Sequence, residues 1–409
     1  MNNSIWYISK YTTPESKEGF GGRGFMICKE LVNLGYNVTI FASDSNHHAK
    51  APSFQSLLFL EKFGSLNFYW VKTSKYRKKQ SFLRIISWFS FEINLLISRK
   101  KEIPKPDIII VSSLSLLSVL TGLFYKLFYK SILIFEVRDI WPLTLTEEGG
   151  YSKKSIFIKI LGIIESIGYK YSDHIVGTMP NLIEHVKNVT GSDLDVSCIP
   201  MGYSKSDFNR SKNLTKHQVF HSIPDNAFVI GYVGSLGVSN ALGTFFSLLR
   251  QHKNNSKLCF IVAGDGDLSQ EFKNEFNNYD NVHYLGTIPR VEVFSVLSNC
   301  DLLYLSTHDS EVWKYGQSLN KLVDYMLSGV PIVASYSGYK SMIDESNCGV
   351  FISPNNTSAL NKCFSSFINM DQSARVQMGL NGRKWIENNR SYDKLAKKYN
   401  LIFKNLTDK

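Results

Sequence analysis

The chain has 409 residues, 44% hydrophobic and 20% charged, a balance that excludes disorder and a multi-span membrane protein and, at roughly 100 to 200 residues per domain, favours two cores. The formal net charge of +11 points to phosphates, nucleic acid or anionic lipid as partners and says nothing about fold. Six scattered cysteines (Cys28, Cys198, Cys259, Cys300, Cys348 and Cys363) form neither a Cys-x-x-Cys pair nor a Cys/His cluster, which leaves reduced thiols in a cytosol as the simplest state.

The N-terminal MNNSIWYISKYTTPESKEGFGG lacks a basic stretch followed by a long apolar one, so a cytoplasmic protein is expected. SIWYIS reads as a strand. The loop after it ends Gly19-Phe20-Gly21-Gly22-Arg23-Gly24, and FMICKELVNLG then reads as a helix. Glycines there let backbone approach a phosphate, and a helix start offers free N–H groups. The loop is neither a GxGxxG fingerprint nor a P-loop, and a plain tight turn fits it equally well.

Strands follow at YNVTIFAS and NFYWVK. Lys72, Lys75, Arg77, Lys78, Lys79 and Arg84 then come without one acid between Val71 and Phe91, overlapping the aromatic and apolar SFLRIISWFSFEINLLIS. Basic beside greasy is the pattern of a contact with an anionic membrane surface; a core helix preceded by a solvated basic loop is the alternative. The uncharged run Ile108 to Tyr125 approaches the length of a membrane span. Its β-branched IIIV start and serine-interrupted, helix-periodic continuation, followed by SILIFEV, resolve it into strand, helix and strand. HIVGTM and VSCIP complete a first half whose alternation implies a parallel sheet covered on both faces.

A polar stretch rich in Pro, Gly and Asn (199–227) separates this half from a second alternation: FVIGYVGS, LCFIVAGDG, VHYLGTI, DLLYLST, VPIVAS and GVFIS. The expected division is 1–205, 206–385, and a terminal helix, 386–409, that crosses back to the first domain. Open α/β sheets bind ligands beyond the carboxyl ends of their strands, and two such domains facing a central cleft make a two-substrate enzyme plausible. In the second domain Gly234-Ser235-Leu236-Gly237 and Gly264-Asp265-Gly266 sit at such ends. The most informative stretch is Gly316-Gln317-Ser318-Leu319-Asn320-Lys321-Leu322-Val323-Asp324-Tyr325-Met326. Ser318 is expected to cap a helix ending before Gly329, with Lys321 and Asp324 on one face near its start. A cation there suits a diphosphate and a carboxylate suits ribose hydroxyls; an ordinary amphipathic helix is the plain alternative.

The order of a glycine-rich first loop, YVGSLG, VAGDG, YLGTIP and SLNKLVDYMLSGVPIV resembles the retaining GT-B glycosyltransferases of family 4 over nearly the whole chain, most of all the bacterial O-antigen and capsule enzymes. The resemblance implies two Rossmann-like doubly wound domains, a nucleotide-sugar donor (UDP in the commonest case) on the C-terminal one, a polyprenyl diphosphate-linked glycan acceptor on the other, and neither cofactor nor metal. No nucleic-acid motif is apparent. Asp324 matches the second acid of the family's E-x7-E motif, as the ribose ligand; the first acid is replaced by Gly316. Where the family often carries an Arg and a Lys for the diphosphate, this chain has Ser235 and Asn240, so Lys321, with Lys314, is inferred to replace them. The implied donor set is Gly21, Gly22, Gly234, Ser235, Asn240, Gly264, Gly266, Ile288 of YLGTIP, Lys314, Gly316, Ser318, Asn320 and Asp324. Arg138 and Asp139 of FEVRDIWP match the acceptor-side loop and, with Lys321, are the catalytic candidates; an Arg-Asp pair that pins a loop beside Trp141 is the alternative. A nucleotide-sugar 2-epimerase of the same fold, or a non-catalytic basic protein binding membrane or nucleic acid, would compete with the transferase.

Overall fold

β-branched and aromatic runs become strands here, and the amphipathic stretches between them become the helices that cover the sheets. The computed structural model describes residues 3–16, 20–46, 51–76, 82–113 and 115–408. Gly19, Arg77, Lys78 and Lys79, singled out above, lie outside the described residues. The chain divides into Met1–Pro200 with Tyr392–Lys409, and Met201–Ser391. The first boundary thus falls at residue 200 rather than 205, and the second unit extends past 385.

The first unit opens with β1 (Ser4–Ile8), α1 (Arg23–Asn33), β2 (Asn37–Ser43), β3 (Leu58–Phe63), β4 (Leu66–Val71) and α2 (Phe82–Ile97). It continues with β5 (Ile108–Ser112), α3 (Ser118–Tyr129), β6 (Ile132–Val137), α4 (Leu143–Glu147), α5 (Ile156–Tyr171), β7 (His174–Gly177), α6 (Leu182–Thr190) and β8 (Val196–Cys198). The strand order is β3-β4-β2-β1-β5-β6-β7-β8. All neighbours are parallel except β3, which pairs antiparallel with β4. The sequence reading missed β3, a half-exposed edge strand joined to β4 through Gly64 at φ 60°.

The second unit runs through α7 (Lys205–Lys212), β9 (Phe228–Val233), α8 (Gly243–Gln251), β10 (Leu258–Ala263), α9 (Ser269–Phe276), β11 (Val282–Gly286) and α10 (Val293–Leu297). It ends with β12 (Leu302–Ser306), α11 (Asn320–Ser328), β13 (Ile332–Ser335), α12 (Met342–Ser346), β14 (Gly349–Ile352), α13 (Thr357–Asn369) and α14 (Gln372–Asn389). Its order, β11-β10-β9-β12-β13-β14, is the 3-2-1-4-5-6 winding of a dinucleotide-binding sheet.

The last helix, α15 (Tyr392–Thr407), belongs to the first unit. Leu395, Ala396, Tyr399, Ile402 and Phe403 are buried in one core with Ile5, Tyr7 and Ile27. A polar knot lies inside that apolar contact. Glu136 of β6 accepts from Tyr7 Oη (2.8 Å), Tyr399 Oη and Arg23 Nη1, while Arg23 Nη2 donates to the Ile199 carbonyl (2.6 Å). Burial pushes the Glu136 carboxyl up, but the Arg23 and Arg138 charges together with the hydrogen bonds from Arg23 and Tyr399 outweigh it and hold the group down at about 2.

The basic run after β4 is not one solvated patch. Lys72 Nζ donates to the Phe54 carbonyl (3.2 Å) and Lys75 pairs with Asp44 (2.7 Å). Arg84 lies over the rings of Tyr11 and Trp88. The helix beside it, α2, buries Trp88, Phe91 and Leu95 and exposes apolar side chains on its other side, so it is a core helix on one face only.

Candidate functional site

In the second unit the strand order reverses between β9 and β12, where a doubly wound sheet leaves a crevice beyond its strand ends. Backbone laces the loops there together. Gly234 N donates to the Ala263 carbonyl (2.9 Å), Leu236 N to that of Asp265 (3.0 Å), and Gly264 N to that of Gly286 (2.7 Å). Gly264 stands at φ 134°, and a Cβ on it would lie 1.8 Å from the Gly234 oxygen; one on Gly266 would lie 2.5 Å from the Leu236 carbonyl carbon. These two glycines, expected among the donor contacts, are first of all what lets the β9 and β10 loops stack.

Lys321, in the first turn of α11, reaches into this edge. Its ammonium donates to Tyr232 Oη (3.2 Å) and to Asn240 Oδ1, and stands 5.1 Å from the centroid of the Tyr232 ring. Asn240 Nδ2 in turn donates to the Ser235 carbonyl (2.9 Å), and a Cβ on Gly234 would be 3.2 Å from Lys321 Nζ. Gly234, Ser235, Asn240 and Lys321 therefore come together, as the sequence reading expected. Every hydrogen-bonding partner of this ammonium among the described residues is neutral. Burial alone pushes its pKa down to about 8, the signature of a cation whose charge the protein does not balance. The helix start is also open: its cap, Leu319, makes no side-chain capping bond, so the first N–H groups of α11 have no such acceptor.

Other expected donor residues are placed differently. Ser318 is not the cap; its hydroxyl accepts from Met201 N (2.8 Å) and α11 begins two residues later. Lys314 lies on a 3-10 turn, Glu311–Tyr315, in an exposed ion pair with Glu311 (2.6 Å), and so is a surface charge rather than a second cation beside Lys321. Gly316 ends that turn at φ 96°, a conformation that explains glycine where the family has its first acid. Asn320 is exposed as the first residue of α11, and Ile288 packs against the unit's apolar core.

Asp324 is held by Arg290 through two parallel hydrogen bonds, one of 2.6 Å from Nη1 to Oδ2. Arg290 escaped the sequence reading, although it directly follows the YLGTIP segment. Each Asp324 oxygen keeps a lone pair, so ribose contact would be made with the pair in place. Arg290→Ala is expected to weaken nucleotide binding by no more than about tenfold, by loosening the carboxylate; calorimetric titration measures it. Gln317 also went unnoticed: it is 4% exposed, and neither its amide oxygen nor its nitrogen has a partner.

In the first unit the sheet reverses between β1 and β5. Gly21 and Gly22 lead into α1, whose cap Gly22 makes no side-chain bond. A Cβ on Gly21 would be 2.7 Å from Phe25 Cδ1, so close packing accounts for that glycine. Lys10, just after β1, is fully buried against Ser43 (3.2 Å) and Ser87 (2.7 Å). Burial pushes it down to about 7 although Glu92 and Asp44 oppose the shift. No motif marked it. Asp139, beyond β6, accepts from Trp141 Nε1 (2.9 Å) and Thr144 Oγ1 (2.6 Å) rather than from Arg138. Its carboxyl is raised by burial, against the pull of those hydrogen bonds. Arg138 leaves its buried Nε without a partner. The expected Arg-Asp pair is thus an Asp-Trp-Thr clasp on the loop, and the nearby Arg138 charge favours the ionised carboxylate without a direct hydrogen bond to it. Asp139→Asn keeps one acceptor oxygen and loses the other, at a cost of about 1 to 3 kcal/mol in unit stability. If Asp139 also serves the reaction, turnover falls further than donor binding, which steady-state kinetics alongside thermal melting would reveal.

Among the described residues no helix is long and apolar enough to cross a membrane, and no three His, Cys, Asp or Glu side chains gather as a metal site.

A family model described as "Glycosyl transferases group 1" matches residues 227–369. No curated protein matches the sequence. Solved structures do. Sucrose-phosphate synthase from Thermosynechococcus elongatus is 14% identical over 99% of both chains with a TM-score of 0.72. Anabaena HepE in complex with UDP and glucose is 12% identical over 98% of this chain and 99% of its own, with a TM-score of 0.63. WaaG, a glycosyltransferase involved in lipopolysaccharide biosynthesis, is 13% identical over 97% and 98%, also at 0.63. At such identities likeness speaks for fold, and it agrees with the two parallel, doubly wound sheets: the chain has the GT-B fold, built from two Rossmann-like units.

Proposed function

We propose that the chain is a retaining, metal-independent glycosyltransferase of the family 4 type. In this reading the second unit holds a nucleotide-sugar donor, UDP-linked, and the first serves a lipid-linked glycan acceptor in bacterial O-antigen or capsule synthesis. It works in the cytoplasm, in peripheral contact with the inner face of the membrane. The observation that carries this reading is the Lys321 ammonium, buried among neutral partners at the switch point of a dinucleotide-type sheet. A diphosphate supplies the missing counter-charge, and the uncapped start of α11 supplies N–H donors beside it. The glycosyltransferase model covers this same unit, and HepE was solved with UDP and glucose. WaaG's role in lipopolysaccharide biosynthesis favours a lipid-linked acceptor.

The chemistry then needs little beyond charge. The acceptor hydroxyl attacks the anomeric carbon from the face that the diphosphate leaves, through an oxocarbenium-like state. Lys321 and the helix N–H groups stabilise the negative charge that grows on the departing diphosphate, and that diphosphate takes the acceptor's proton. Asp324 orients the ribose, and Gln317 offers its amide to sugar hydroxyls.

Incubation with a panel of nucleotide sugars, with and without a polyprenyl diphosphate-linked sugar, read by mass spectrometry, tests the proposal. Transfer from a UDP-sugar to the lipid-linked sugar is expected. Epimer formed without acceptor would make the protein an epimerase, and transfer to a soluble sugar phosphate would replace the acceptor half of the reading.

A further inference from the structure

Three neighbouring helices of the first unit carry far more exposed apolar surface than water-facing helices do. On α3, Phe124, Leu127 and Phe128 are 51%, 79% and 67% exposed, on the stripe opposite buried Tyr125 and Val119. On α5, Ile156, Ile160 and Ile163 recur at helical spacing and are 76%, 51% and 60% exposed; α2 adds Ile93 and Ile97. The helices are locked side by side. Ser118 and Thr121 of α3 both donate to Glu92 of α2 at 2.6 Å, and Lys126 of α3 donates to the Tyr171 carbonyl at the end of α5 (2.9 Å). Such a contiguous patch marks an interaction surface.

Charge selects the partner. The acids within these three helices, Glu92 and Glu165, are both buried, whereas Arg84, Lys126, Lys159 and Lys170 are at least partly exposed. These helices therefore present no exposed acid of their own; Asp173, just past α5, pairs with Lys126 (2.8 Å), so Lys159 and Lys170 carry the exposed positive charge. A second copy docking by the same face would set these cations against their own kind. None of the helices is long and apolar enough to cross a bilayer, so the geometry fits lying on one.

We infer that α2, α3 and α5 form the face by which the protein sits on an anionic bilayer, with Leu127 and Phe128 entering the acyl boundary and Lys159 and Lys170 meeting headgroup phosphates. This deepens the acceptor half of the proposed function: a chain that takes a lipid-linked acceptor would meet it on that surface.

Co-sedimentation of the full chain with vesicles of phosphatidylglycerol and phosphatidylcholine, against pure phosphatidylcholine, at low and high salt, tests the inference. Binding to the anionic vesicles that weakens with salt is expected. The doubly substituted Leu127→Asp, Phe128→Asp should partition at least tenfold less, and Lys159→Glu with Lys170→Glu several-fold less on anionic vesicles only. Both variants should keep the melting temperature and UDP affinity of the parent, so a failure of docking is told apart from a failure of the nucleotide reading. Absence of binding by the unaltered chain, equal binding by the Asp variant, or self-association abolished by Leu127→Asp without vesicle binding would each overturn it.

Discussion

Lys321→Met is expected to weaken UDP binding by about 30- to 150-fold while leaving the fold as stable as before or more so. The binding loss follows from removing a charge-assisted contact worth about 2 to 3 kcal/mol. The stability half follows from burial. The ammonium titrates near 8 in the folded chain, down from 10.5, because of desolvation. Between these values the unfolded chain binds more protons, so the stability of the parent should rise with pH across that window. Methionine fills a similar volume without the charge and should remove this slope. A structural lysine would behave otherwise: its loss would lower the melting temperature and leave UDP affinity alone. Thermal melting and calorimetric titration on one preparation separate the two outcomes.

Glu136→Gln is expected to cost the first unit about 3 to 5 kcal/mol, a large share of what holds a domain folded. The carboxylate accepts from Arg23, Tyr7 and Tyr399 with no access to water. An amide turns one acceptor into a donor and strands the guanidinium without a counter-charge. Because Tyr399 sits on α15, the same change should free the C-terminal helix, seen as faster proteolysis near residue 390 and a lower denaturation midpoint. The pH dependence has the same sign as that of Lys321, stability rising with pH, but it falls in the acid range. Glu136 is held at about 2 against a usual 4.5, so its contribution is full above about 4.5 and lost as pH falls towards 2. A parent whose acid unfolding matches that of Glu136→Gln would show that the knot contributes nothing.

Much of the architecture is legible in the strands. Each of the six apolar stretches read as strands in the second unit holds a strand of the structure. Strand β3 was hidden because an edge strand with mixed exposure lacks a clean alternation. The site was legible where it depended on helical spacing and loop position, as for Lys321 beside Gly234 and Asn240. It was illegible where a partner comes from far along the chain. Nothing near Ser318 announces that Met201 donates to its hydroxyl, nothing near Asp324 points to Arg290, and the buried Lys10 finds its hydrogen-bond partners in Ser43 and Ser87. The run from Phe82 to Ile97 is core on one face and exposed on the other, because its apolar residues circle the helix.

The central claim is that an otherwise unbalanced ammonium at the start of α11 receives the diphosphate, and it is tested most directly by UDP affinity measured from pH 7 to pH 9.5 on the parent chain and Lys321→Met. With Lys321 titrating near 8, the parent should lose about tenfold in affinity across that range as the ammonium discharges, while the variant binds weakly and evenly throughout. Equal pH profiles for the two proteins, or tight binding by Lys321→Met, would contradict it.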